Sequence, residues 1–160
     1  MISRFVLAPP RKRHPRKRLG GALLEMALAF PLVLFMGFGL VEFGQYMYIK
    51  HCFEAAARDA ARVAIMSSAT QSQVTTTLTN TLAQANVTYN SAWLTITDLG
   101  PSTTGTVSNV ANVPLGDQMQ LTLSATYSSI PNAVRPLYQM TGYGIGTNKQ
   151  VVGECTMVKE

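Results

Sequence analysis

A long apolar run near the N-terminus, interrupted by a single acid, narrows the range of folds open to this chain. A basic segment leads to Gly20 and Gly21, and Glu25 follows within the apolar run. The sixteen residues from Met26 to Val41 carry no charge. With their apolar flanks they exceed the roughly 20 residues that a helix needs to cross a bilayer. The pattern predicts a membrane-spanning helix at about residues 22–48.

The basic residues are concentrated ahead of that run. Residues 1–20 hold seven of the thirteen Lys and Arg residues and no acid, whereas residues 21–160 hold six basic and eight acidic residues. Positive residues that flank a membrane helix stay in the cytoplasm, which predicts a cytoplasmic N-terminus and an external C-terminal part. Because the excess of basic over acidic residues is confined to this leader, we do not expect the body of the chain to bind nucleic acid.

A removable secretory signal is an alternative explanation of a basic segment followed by an apolar run. The nearest small-residue cleavage sequence, Ala55–Ala57, lies far beyond the run, and Glu25 and Pro31 interrupt it. We therefore expect a retained anchor. Since proline cannot donate a backbone hydrogen bond, we also expect a bend or local loosening of the helix at Pro31.

The helical pattern continues past the membrane segment and then gives way to strands. Apolar or small residues recur every three or four positions as far as Met66, which predicts one helix over residues 21–66. Beyond it Val74, Leu78, Leu82 and Ala85 fall on one helical face, which predicts a short second helix over residues 71–85. β-forming or alternating residues predict strands over residues 92–97, 118–127 and 150–159. The Gly-, Pro- and Ser-rich stretches between them, residues 100–116 and 128–148, are expected to be loops.

These elements predict an α+β chain in three parts. They are a basic leader (residues 1–20), a long N-terminal helix (21–66) and a head with a small antiparallel sheet (67–160). The head contains 26 Ser and Thr residues but only seven charged ones, which favours an extracytoplasmic location. Because fewer than 100 residues build only a modest core, we expect the upper part of the long helix to pack on the head.

Glu25 is the residue with the clearest functional signal. An ionised carboxylate within hydrocarbon costs several kcal/mol, so such residues usually face a partner or a functional site. A cut between Gly20 and Gly21 would create an α-amino group and make Glu25 the fifth residue of the new chain. In a bundle of copies, this carboxylate could neutralise a neighbour's ammonium group. The alternative is an acid near the membrane interface, stabilised by the positive end of the helix.

Other chemistry is weakly indicated. Cys52 and Cys155 are the only cysteines, and outside the cytoplasm they could form one disulfide or remain two buried thiols. A metal site is not expected, because His51 and Cys52 are adjacent on a helix and point about 100° apart. The two histidines lie in the leader and beside the membrane segment, with no recognisable catalytic group around them. We expect neither enzyme activity nor a cofactor.

Three segments of the sequence together resemble a known family. The run RLGGALLEMALAFPL at residues 18–32, the sequence GLVEFG at residues 39–44 and the sequence AAARDAAR at residues 55–62 are similar to TadE-like pseudopilins of the tight-adherence (Tad/Flp) pilus system. The resemblance covers roughly residues 16–66 and fades in the head.

The resemblance implies a minor pilin or pseudopilin of the bacterial inner membrane, with one span and the head in the periplasm or outside the cell. A membrane prepilin peptidase would cut between Gly20 and Gly21, and Glu25 would be the family's acid. Met26 departs from the aromatic residue more usual after that acid. The implied partners are the peptidase, other pilins and pseudopilins, an inner-membrane assembly platform and membrane lipid. The rival hypothesis is an uncleaved, single-pass module that binds an envelope ligand.

Overall fold

The computed structural model describes residues 19–101, 104–145 and 148–160. The prediction of a basic leader therefore falls largely outside the described residues. The helices are α1 (Leu19–Ala64), α2 (Gln71–Gln84) and α3 (Pro136–Thr141). The strands are β1 (Leu94–Asp98), β2 (Gly105–Val107), β3 (Gln118–Thr126) and β4 (Gln150–Val158). This is the predicted α+β fold, with a long apolar N-terminal helix, a short second helix and an antiparallel sheet.

The chain divides into two compact units, residues up to 34 and residues 35–160. In the first unit, α1 exposes every side chain described from Gly20 to Leu34. Large apolar groups such as Leu28 and Leu32 are more than 70% exposed. A helix that is apolar on all sides is typical of a segment whose solvent is lipid or other apolar helices.

The second unit contains a four-stranded sheet in the order β2-β1-β3-β4, and every neighbouring pair is antiparallel. β3 is central. It pairs with β1 from Leu94↔Leu123 to Asp98↔Met119, and it pairs with β4 along its whole length. Its alternating residues Met119, Leu121, Leu123 and Ala125 are buried. The predicted alternation therefore identifies the face of the sheet that enters the core.

The upper part of α1 packs against this sheet. Ile49, Phe53 and a row of alanines (Ala56, Ala60 and Ala64) are buried at intervals of three or four residues. β4 runs alongside the helix. At its start the Tyr46 hydroxyl donates to the Gln150 carbonyl at 3.3 Å. Just after its end the Glu160 N–H donates to the Ile65 carbonyl at 2.9 Å. Small side chains on one helix face permit this close approach.

The second helix begins at a capping box. The Thr70 hydroxyl accepts from the Gln73 N–H at 3.3 Å, and the Gln73 side chain accepts from the Thr70 N–H at 2.9 Å. Val74, Leu78 and Leu82 are fully buried, which confirms the predicted helical face. Reciprocal capping and one apolar stripe offset the low helix propensity of the threonines.

A short strand, a short α-helix and brief 3₁₀ turns lie where loops were predicted. The strand β2 is a three-residue edge strand, too short to show the alternation on which strand prediction depends. The helix α3 has six residues, beginning at Pro136. Proline is favoured at a first helical position. Two N–H groups of α3 also donate to the side chain of Glu42, which lies 95 and 96 residues earlier in the chain.

Candidate functional site

The predicted processing residues lie in the first turns of α1. Gly20 and Gly21 are exposed, and a Cβ atom added to either would meet nothing within 4 Å. Glu25 is also exposed, and among the described residues its carboxylate has no hydrogen bond or ion pair. Glu25 follows Gly21 by four positions, so the two lie on the same face of the helix.

A second acid of α1, Glu42, is fully buried and accepts three hydrogen bonds from backbone N–H groups. Its Oε2 atom accepts hydrogen bonds from the N–H groups of Leu137 and Tyr138, both at 3.1 Å. Its Oε1 atom accepts from the Ile145 N–H at 2.8 Å. The carboxylate therefore caps the first turn of α3 and also holds the segment that follows this helix.

Gly144 completes this arrangement by leaving room for the carboxylate. A Cβ at residue 144 would overlap the Glu42 Oε1 atom and would lie 3.1 Å from the Tyr138 Cβ atom. A side chain here would displace the acceptor that the Ile145 N–H uses. We refer to Glu42 and the N–H groups of Leu137, Tyr138 and Ile145 as the Glu42 cap.

Aromatic residues pack beside the Glu42 cap. The Tyr46 and Tyr127 rings meet edge to face, with centroids 5.5 Å apart. Burial raises the pKa of Tyr127 above its ordinary value, and the negative charge of Glu42 raises this pKa further. The positive charge of Arg135 lowers it, by less than the other two effects raise it. The Arg135 guanidinium also lies 5.7 Å above the Tyr138 ring. The cap therefore lies beside aromatic rings and one guanidinium, and the Glu42 carboxylate itself is buried, where an unpaired charge is costly.

The other residues singled out from the sequence are Pro31 and the two cysteines. Pro31 lies inside α1, and the helix is continuous through it. Cys52 and Cys155 are free, half-buried thiols, so the disulfide considered from the sequence is not formed in this structure. Within the described ranges there is no cluster of three metal-ligating side chains.

Sequence reasoning did not assign a role to Glu42, although a usable signal existed. Glu42 stands in the same apolar helix as Glu25, and the cost of an uncompensated carboxylate applies to both acids equally. Its three hydrogen-bond donors lie 95 to 103 residues further along the chain. No local sequence pattern predicts a contact between residues that far apart in the chain.

The described residues contain one helix, Gly20–Ala64, that is long and apolar enough to cross a membrane. Residues 20–62 match the model of a family described as TadE-like protein. No curated protein and no solved structure gives a match to the chain. The family match includes Gly20, Gly21, Glu25 and Glu42 and ends before the head. The chain therefore carries a TadE-like segment over residues 20–62, as the residues quoted from its sequence predict.

Proposed function

We propose that this chain is a membrane-anchored minor pilin or pseudopilin that takes part in assembly of a Tad-type adhesive pilus. The observation that carries the proposal is the TadE-like match along α1. The apolar, fully exposed helix from Gly20 to Leu34 supports it, because such a surface needs lipid or neighbouring helices around it. The head would then face the periplasm or the cell exterior.

Processing is the first step of the proposed mechanism. A prepilin peptidase in the inner membrane would remove the basic leader between Gly20 and Gly21. Against the described part of the chain, a Cβ added to either glycine meets nothing within 4 Å, which supports access of the peptidase to this part of the backbone. A cut after Gly20 gives Gly21 a free α-amino group and places Glu25 fifth in the mature chain.

Pairing between subunits is the second step. In a medium of low dielectric constant, a carboxylate attracts an ammonium group far more strongly than it does in water. The Glu25 carboxylate of one subunit would neutralise the Gly21 ammonium of a neighbour, and only one axial offset between two helices brings these groups together. The pair would therefore select the register in which other pilins and pseudopilins add, as the assembly platform extracts the helix from the membrane.

N-terminal sequencing of the protein purified from its native cells tests processing directly. We expect a chain that begins at Gly21. A matched pair of variants locates the cut: Gly20→Leu is expected to block processing because it alters the residue before the cleaved bond, whereas Gly21→Ala is expected to permit it. An intact leader in the unmodified protein would favour the uncleaved, envelope-binding module instead.

Substitution of Glu25 tests the pairing step separately. We expect Glu25→Gln to be processed and inserted normally but to be lost from complexes with other pilins, since the amide keeps the size of the side chain and removes its charge. Leu28→Ile, on the same exposed helix, is the control and should co-purify with those partners as the unmodified chain does. Normal co-purification of the Glu25→Gln variant would remove the proposed role of this acid.

A further inference from the structure

The segment at residues 134–145, which the Glu42 cap holds in place, exposes large apolar side chains. Val134 is 52% exposed, Met140 62% and Tyr143 83%. Three such groups within one short segment are unusual for a surface that faces only water, because each keeps apolar area hydrated. The segment is nevertheless held firmly, through three hydrogen bonds to one carboxylate.

This segment lies at one end of the second unit. β4 begins beside Tyr46 and ends beside Ile65, so the strand and α1 run along each other. From Glu42 to Ala64 the helix rises about 33 Å at 1.5 Å per residue. The 134–145 segment is fixed at the Glu42 end of this length. The turn at Leu115 lies at the opposite end, where the Gly116 N–H donates to the Lys159 carbonyl at 2.8 Å.

The apolar surface of α1 continues to the same place. Leu40 is 73% exposed and Val41 54% exposed, directly before the buried Glu42. The run from Gly20 to Val41 has 22 residues, which as a helix covers about 33 Å and matches a hydrocarbon core of about 30 Å. We place the outer limit of the membrane span at Val41 rather than near residue 48, as the sequence predicts, because Glu42 and Ile49 beyond it are buried against the head.

The charges of the neighbourhood suit a lipid headgroup layer. Apart from the buried Glu42 carboxylate, which bonds N–H groups of the segment, the charged side chains between residues 127 and 150 are Arg135 and Lys149, and both are basic. Basic side chains are attracted to lipid phosphates, and tyrosine is enriched at the level of the headgroups, where one end of the ring is apolar and the other is wet.

We propose that the 134–145 segment lies in the outer headgroup layer of the bilayer, with Val134, Met140 and Tyr143 directed at lipid. The Glu42 cap would hold this segment beside the point where α1 leaves the membrane, and the head would rest on the membrane surface before assembly. This inference depends on the membrane anchoring proposed above and adds a second, peripheral contact with lipid. Extraction of the subunit would have to break that contact.

Depth-dependent fluorescence quenching of the full chain in vesicles tests the proposal. Trp93 is the only tryptophan, so a Trp93→Phe background leaves the chain free of this fluorophore. In that background, Tyr143→Trp reports on the segment. Leu115→Trp, at a site 65% exposed at the far end of the second unit, is the matched control. The vesicles contain phosphatidylethanolamine and phosphatidylglycerol, with a nitroxide label on the headgroup or deep in the acyl chain.

We expect the headgroup label to reduce the emission of the Tyr143→Trp variant about twofold, with weaker quenching by the deep label, because tryptophan settles at the interface. The Leu115→Trp variant should be quenched by iodide in the water and by neither lipid label. Adding Glu42→Ala to the Tyr143→Trp variant should weaken the headgroup quenching, since it releases the segment. Far-ultraviolet circular dichroism checks that each variant remains folded.

Vesicle flotation separates the two proposals. A chain that floats with the vesicles but shows equal iodide quenching at residues 143 and 115 would overturn the headgroup contact and leave the anchoring intact. A chain that fails to float would overturn both. Protection of residue 143 from iodide without quenching by either lipid label, increasing with the ratio of protein to lipid, would identify a second copy of the chain as the occupant of this surface, and would also overturn the lipid contact.

Discussion

Gly153 of β4 lies directly against the backbone of Phe53 in α1, with no space for a side chain between them. A Cβ at residue 153 would overlap the Phe53 carbonyl group and would lie 2.7 Å from the Glu54 backbone nitrogen. The neighbouring Ala56 and Ala57 extend this close approach along the helix. The contact brings a strand and a helix within backbone distance at the centre of the core.

Gly153→Ala is expected to destabilise the folded head by about 3 kcal/mol, at the upper end of overpacking costs, because the overlapping atoms belong to backbone rather than to a flexible side chain. The measurement is urea unfolding in detergent micelles, followed by the fluorescence of the buried Trp93. This tryptophan packs against Phe53 with ring centroids 5.7 Å apart, so its emission reports on the same region.

Gly44→Ala is the matched control for that variant. Gly44 lies within α1, and an added Cβ would meet nothing within 4 Å. We expect this substitution to stabilise the chain by about 0.5–1 kcal/mol, because alanine loses less backbone entropy in a helix than glycine does. Equal effects of the two substitutions would contradict the close helix–strand contact.

Glu42→Ala is expected to release the 134–145 segment and to cost about 2–3 kcal/mol, because three N–H groups lose a charged acceptor. Hydrogen exchange measured by mass spectrometry should become faster in peptides that cover residues 136–145 and remain unchanged in α2. Gly144→Ala should give a similar pattern by displacing the Glu42 side chain.

Glu54→Ala provides the control for loss of an acid on the same helix. Glu54 lies 3.6–3.9 Å from Lys50, His51 and Arg58, in pairs that are partly exposed to solvent. Such pairs contribute little, so we expect a change within about 0.5 kcal/mol and no local increase in exchange. An equally small effect of Glu42→Ala would mean that water can replace the cap.

The main elements of this fold could be predicted from the sequence wherever buried residues recur at the regular spacing of a helix or a strand. The stripe Val74, Leu78 and Leu82 predicted α2, and the alternation from Met119 to Ala125 predicted β3. Both signals are contained within a few turns or residues. The TadE-like segment was also recognisable, because its residues are contiguous.

The Glu42 cap and the Gly153 contact could not be predicted in this way. Each joins groups about 100 residues apart, and neither a single glycine nor a single acid indicates its partner. The helix α3 was missed for the same reason: six residues carry too little periodicity, and its N-terminal N–H groups are satisfied from α1. The parts that were missed depend on tertiary contacts rather than on local preference.

Tyr127→Phe is expected to leave stability at pH 7 unchanged or to raise it by up to about 1 kcal/mol. The Tyr127 hydroxyl is buried and has no hydrogen-bond partner within the described ranges, so its removal loses no bond. Phenylalanine retains the edge-to-face contact with Tyr46. A loss of more than about 1 kcal/mol would show that the hydroxyl is hydrogen-bonded in solution.

The alkaline stability of the same variant tests the raised pKa of Tyr127. An unfolded tyrosine ionises near pH 10, whereas burial and Glu42 raise the pKa of Tyr127 in the folded chain. The unfolded state therefore loses its proton first, and stability that is present below pH 10 falls as the pH rises towards the folded pKa. Unfolding experiments from pH 8 to pH 11 should show a shallower loss for Tyr127→Phe. Tyr89, whose pKa is also raised by burial, should account for part of the remainder.

Asp117→Asn is expected to stabilise the head, because Asp98 and Asp117 bring two buried carboxyl groups to one glycine. The Asp98 Oδ1 atom accepts from the Gly100 N–H at 2.9 Å, and the Asp117 carboxyl group lies against the Gly100 Cα atom. Among the described residues, neither Oδ2 atom has a hydrogen-bond partner. The nearby Lys159 ammonium donates instead to the carbonyls of Val110 and Val113, at 2.7 and 2.8 Å.

An amide at residue 117 removes one acidic group and supplies an N–H donor of nearly the same size. We expect the free energy of unfolding to rise by about 1–2 kcal/mol at pH 7, because a buried acidic group whose oxygen lacks a hydrogen-bond partner is costly and the amide can donate as well as accept. Glu154→Gln, at an exposed site on β4, is the control and should change stability by less than about 0.5 kcal/mol. A loss of stability in Asp117→Asn would instead show that this carboxylate binds a counter-charge, and repeating the urea titration with and without added calcium would test whether that charge is a calcium ion.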